Sequence, residues 1–211
     1  MDSIALETAA YYIALLTVVC VPPAILLWFL IHPLAFFWRR LGPLVTYLAV
    51  IPVLVSIGTA IYRFRGPLLL IHFGVRLPLV AIAVLCMVIG ICLGILRMRY
   101  LTPSMMLGIP EISKAGKPAK LLAEGIYSRI RHPRYLEIGF VLAGIAFAVN
   151  YLAVYVLLVA YMPVIYLVVL LEERELRKRF GAAYDRYCSE VPRFIPKLHR
   201  RQGADENNTS R

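Results

Sequence analysis

The sequence predicts an all-α membrane protein with about five transmembrane helices and a C-terminal cytoplasmic amphipathic helix. Three observations predict it. Hydrophobic residues make up 61% of the 211 residues and charged residues 17%, whereas a soluble domain carries about 45–50% apolar and about 25% charged residues. The mean hydropathy is +0.75, and the apolar residues fall in long uncharged runs. Together these argue against a soluble globular enzyme, a disordered chain and a nucleic-acid binder.

Residues 9–31, 44–62 and 77–96 contain no acid or base. Each run holds about 20 residues, enough to cross a hydrocarbon core of about 30 Å. Residues 136–171 form a longer run whose only charge is Glu137. Two short helices turning near Asn150 fit it better than one helix. Pro22, Pro23, Pro52 and Pro163 fall inside these runs. Each removes a backbone donor and should kink its helix. Gly90 and Gly94 form a GxxxG pair that permits close packing within the bundle or a homodimer. No internal repeat supports an inverted-repeat transporter.

Charge placement sets the expected orientation. With five spans, one side collects 20 of the 23 Lys and Arg residues. By the positive-inside rule that side is cytoplasmic and the N-terminus outside. Cys20, Cys86, Cys92 and Cys188 contain no CxxC pair, so they read as structural thiols and no metal is expected.

Residues 97–135 are polar, with Pro103, Pro110, Gly116 and Pro118 as breakers. They form a cytoplasmic loop whose length suggests a function. Beyond 171, Leu176, Phe180, Tyr184 and Tyr187 share one helical face, which predicts the amphipathic helix, locally weakened by Gly181. Pro192 to Pro196 reads as an extended segment with apolar anchors. Residues 198–211 read as a disordered tail.

Two clusters carry candidate chemistry. Arg131, His132, Tyr135 and Glu137 stand where the loop enters the fourth span; Glu172 and Glu173 stand where the fifth leaves it. A hairpin through Asn150 brings both to the cytoplasmic interface. Arg, His and Tyr favour that interface for structural reasons alone. Yet Glu137 and Glu172 adjoin apolar helices, where a charge is costly. Arg131 and His132 can hold a carboxylate, and Glu172 can accept from hydroxyls or an ammonium group.

The pattern from Glu124-Gly125 through Tyr127, Arg131-His132-Pro133 and Tyr135, then Glu172-Glu173, Phe180-Gly181, Tyr184, Tyr187 and Val191-Pro192, resembles the integral-membrane methyltransferases. These include the isoprenylcysteine carboxyl methyltransferases and the phospholipid N-methyltransferases. The resemblance covers roughly residues 95–197. It implies S-adenosylmethionine as methyl donor, held by the Ala119–Leu122 stretch, in which Leu121 and Leu122 would line an adenine or ribose pocket, and by Tyr127, His132, Tyr135 and Glu172. Arg131 would meet the ligand carboxylate or form a structural ion pair. Residues 1–96 would then form three spans on the acceptor side, and 97–197 the donor site. The eukaryotic prenylcysteine enzymes carry an arginine four residues before the first Glu; here that position is Val168, which suits an apolar or less acidic acceptor. The expected partners are the bilayer and a lipophilic or lipid-modified acceptor bearing a carboxylate, amine or thiol. For an amine or thiol, Glu137 or Glu173 could take the proton. A non-catalytic membrane scaffold and a small transporter are the alternatives.

Overall fold

The computed structural model describes residues 3–100 and 121–196. Most of the 97–135 loop and the tail beyond 196 lie outside them. The described residues form α1 (Ser3–Ile31), α2 (Ala35–Leu41), α3 (Pro43–Arg63), α4 (Arg65–Leu68), α5 (Leu77–Met98), α6 (Pro133–Val149), α7 (Leu152–Phe180) and α8 (Ala182–Glu190), with a 3-10 turn at Gly125–Ser128. They contain no strand. A proline in the first turn starts α3, α5 and α6, where the missing N–H costs nothing and the fixed φ suits a helix.

Four helices, α1, α3, α5 and α7, are long and apolar enough to cross a membrane. Their outer faces expose large apolar side chains such as Leu16, Leu48, Leu85 and Val159. Apolar faces of this extent suit contact with lipid. The expected fifth apolar helix is α6, which has 17 residues and a length of about 25 Å. The break at Asn150 is present.

Asn150 adopts the left-handed conformation, φ 53°. It ends α6 because its short polar side chain tolerates that conformation. Its Nδ2 donates to the Gly74 carbonyl at 2.6 Å and its Oδ1 accepts from the Tyr155 hydroxyl at 3.0 Å. The backbone of Phe73 donates to Asn150 and that of Leu152 to Ile71. The turn between α6 and α7 is thus tied to the connection between α4 and α5 at one end of the bundle.

Helix α6 is the central element. It packs on α5, α7 and α1, and α1 also packs on α3 and α7. A methyl added at Gly90 would lie 2.8 Å from Val141 Cγ2, one at Gly94 2.9 Å from Glu137 Oε1, and one at Gly144 2.9 Å from Met87 Cγ. The GxxxG pair is therefore buried against α6 of the same chain. This corrects the idea that these glycines offer a homodimer face: the close approach they permit is used inside the protomer. All four cysteines are free thiols.

The prolines stay inside continuous helices. Around Pro23 and Gly58 the α1–α3 seam opens an apolar groove lined by Val19, Leu54 and Tyr62. It carries none of the chemistry described below. The expected amphipathic helix is divided at Gly181, φ 54°: α7 runs on to Phe180 and α8 follows. Leu176, Phe180, Tyr184 and Tyr187 still meet, in a cluster with Val191, Leu121 and Ala123.

Candidate functional site

The other end of the bundle gathers the titratable residues. Glu172 and Glu173 lie in the same turn of α7, and consecutive helical residues point about 100° apart. Their environments differ accordingly.

Glu173 is 0% exposed. Arg193 meets it in a fork, Nε to Oε1 and Nη2 to Oε2, both at 2.9 Å. Arg131 Nη1 lies 2.8 Å from Oε1 and His132 Nε2 3.3 Å from the same atom. A carboxylate this deeply buried is tolerable only with such partners. Arg131 also donates to Cys188 Sγ at 2.8 Å. The Pro192–Pro196 segment reaches the site because the Arg131 and His132 backbone amides donate to the Pro192 and Arg193 carbonyls.

Glu172 keeps 27% of its side chain exposed. Its Oε1 accepts from the Tyr135 hydroxyl at 2.8 Å, and His132 Nδ1 lies 3.4 Å from its Oε2. Tyr135 is itself fixed by the Tyr161 hydroxyl, which donates to its carbonyl at 2.8 Å. Glu172 is thus an oriented carboxylate with lone pairs left over.

His132 bridges the two glutamates, one ring nitrogen toward each. Both nitrogens can donate only in the imidazolium form. Burial works to lower its pKa, but the hydrogen bonds and charges of Glu172 and Glu173 outweigh it, and the pKa is raised above 6.5. The sign follows from linkage. A folded-state pKa above the unfolded one gives stability that is complete below pH about 6.5 and lost as pH rises through the folded value. Thermal unfolding measured from pH 6 to 9 is expected to show that decline in the native protein. It should be much reduced in His132→Gln.

Tyr127 is buried, its carbonyl accepting from the Tyr187 hydroxyl at 2.6 Å. Burial, and secondarily nearby Glu172 and Glu137, push its phenol up to about 12 against the opposing charge of Arg97. It is therefore neutral at physiological pH. Leu121 packs on the Tyr184–Tyr187–Val191 cluster, and Leu122 is half-buried. Residues 119 and 120 lie outside the described residues.

Glu137 stands apart from the His132 network. Arg97, 3% exposed at the end of α5, grips it bidentately, with Nη2 3.1 Å from Oε1. Arg97 and Arg193 are the residues the sequence reading missed. A signal for Arg97 existed: it continues the Gly90–Gly94 face at i+7, so it had to point at α6. Arg193 carried none, since nothing in its local sequence says that it folds back on Glu173.

Among comparisons with known proteins, the family model described as phospholipid methyltransferase matches residues 78–183, half of the chain. Neither the curated proteins nor the solved structures contain a significant match. The matched stretch covers α5 from its second residue, α6 and α7, and so includes Glu172 and Glu173.

Proposed function

This chain belongs to the phospholipid methyltransferase family, and on that premise we propose that it is an S-adenosylmethionine-dependent enzyme. It methylates a carboxylate, amine or thiol on an amphiphilic, lipid-like acceptor at the cytoplasmic interface. The observation that carries this reading is the division of labour between the paired glutamates. Glu173 is wholly enclosed, while Glu172 is oriented by Tyr135 and His132 and still partly open.

The residues fit the donor. Glu172 offers acceptor sites to ribose hydroxyls or to the ammonium group. Leu121 and Leu122 would supply apolar surface for the adenine or ribose, and Tyr127 a neutral hydroxyl. His132 and Tyr135 hold Glu172 in place. Arg131 is engaged by Glu173, so we assign it the structural ion pair rather than the ligand carboxylate. When bound, S-adenosylmethionine supplies a methyl group on a positively charged sulfur.

The protein's own task is to bind, orient and exclude water. Holding two reactants in line can lower a barrier by up to about 7–11 kcal/mol. A carboxylate acceptor needs no base. For an amine or thiol, Glu137 and Glu173 are the carboxylates at hand, but Glu137 would first have to leave Arg97, and Glu173 both Arg131 and Arg193. We therefore read both as positioning residues. In the membrane we place α6 as a fifth, short span, the N-terminus outside and the site in the cytoplasm. The concentration of 20 of 23 basic residues on that side supports this orientation.

The test is transfer of a labelled methyl group from S-adenosylmethionine into total membrane lipid or a prenylcysteine analogue, with Glu172→Ala alongside. The native protein is expected to label at least one of them, and the variant at least about 100-fold more slowly, the loss of roughly 2.7 kcal/mol of interaction. A folded native protein that labels neither would favour the scaffold reading.

A further inference from the structure

The site end of α1 precedes the stretch matched by the family model, yet it packs directly on the site. Trp28 and Phe29 pack on the cluster of Tyr135, Val168 and Val169. Helices α1 and α7 both run toward the site end. Trp28 packs in one cluster with Val168, and His32 follows one helical turn later, just past the end of α1. His32 is near enough to act electrostatically on the Glu172 carboxylate. The Trp28 and His32 rings are stacked, with centroids 4.7 Å apart and planes at 24°. Helix α2 fixes this end of α1, because the Trp38 indole N–H donates to the Leu30 carbonyl at 2.7 Å.

The Trp28 indole nitrogen is buried and makes no hydrogen bond among the described residues. Buried donors are nearly always paired, and this one belongs to a side chain packed on Tyr135, the residue that orients Glu172, so an acceptor atom from a ligand would satisfy it. Val168, where prenylcysteine enzymes place an arginine, is covered by this part of α1 and is 2% exposed.

We propose that Trp28 and His32 are part of the S-adenosylmethionine site. His32 forms its wall opposite Tyr135 and His132, and the Trp28 indole N–H donates to an oxygen or nitrogen of the donor. Glu172 is then faced by His32 just after α1, Tyr135 from α6 and His132 just before α6. The first span is not only an acceptor-side element but completes the donor site. This inference rests on the donor reading above.

The experiment uses the full chain in detergent, with carbon-13 in the histidine rings and each resonance assigned by single substitutions. S-adenosylhomocysteine is the probe. His72, at the opposite end of the bundle and stacked on Tyr151, is the internal control. The expected result is that the His32 and His132 resonances both shift on saturation while His72 stays. In parallel, Trp28→Phe, which keeps a ring and removes the N–H, should weaken binding roughly five- to tenfold by calorimetry. A shift at His132 with none at His32, and unchanged affinity in Trp28→Phe, would overturn the inference and leave the proposed function standing. No shift at either histidine would overturn the donor reading itself.

Discussion

Glu173→Ala is expected to destabilise the folded protein by roughly 3–5 kcal/mol, the cost of stripping a buried ionic cluster of one partner. The variant leaves Arg131, His132 and Arg193 facing one another without the carboxylate that joins them. It also frees the Pro192–Pro196 segment from its main side-chain anchor. Arg193→Ala should cost less, because that side chain is one-third exposed and water can partly replace it. Thermal unfolding in detergent measures both. Equal midpoints for native and Glu173→Ala would mean that the cluster does not hold this end of the bundle together.

A second large effect is expected at the α5–α6 contact. Arg97→Met leaves the Glu137 carboxylate without its partner, in a seam kept narrow by Gly90 and Gly94. The expected loss is again roughly 3–5 kcal/mol. Replacing both partners, Arg97→Met with Glu137→Leu, should recover most of it, since an apolar pair of similar volume leaves no charge unpaired. The double variant also tests the role of Glu137. If Glu137 only positions α6, the double variant retains S-adenosylhomocysteine binding and methyl transfer. If Glu137 takes a proton, binding survives and transfer from an amine or thiol acceptor is lost.

Much of this architecture was legible in the sequence because lipid imposes simple rules. Uncharged runs of about 20 residues gave α1, α3 and α5, and the excess length of 136–171 gave the break at Asn150. The juxtaposition of His132 and Tyr135 with Glu172 and Glu173 followed from that hairpin. What stayed hidden depends on tertiary contact. The adjacent glutamates look equivalent in the sequence, and only the helical turn between them encloses one and leaves the other open. Arg97 read as a loop charge because the apolar run ends at residue 96, one residue before it. The contact of α1 with the site was invisible for a different reason. An i, i+4 pair of Trp and His at a membrane interface looks like an ordinary aromatic belt until Trp28 is seen packed on the cluster of Tyr135 and Val168. Leu176, Phe180, Tyr184 and Tyr187 meet in one cluster, but the division of the expected helix at Gly181 depends on a positive φ that periodicity does not report.

The central claim is that Glu172, oriented by His132 and Tyr135, is the ligand-facing carboxylate of a methyl-donor site. Its most direct test is calorimetric titration of the detergent-purified protein with S-adenosylhomocysteine, beside Glu172→Ala and His132→Ala. The account predicts saturable binding to the native protein and none detectable in either variant, with Glu172→Ala still folded. Binding that is undiminished in Glu172→Ala, or absent from a folded native protein, would contradict it.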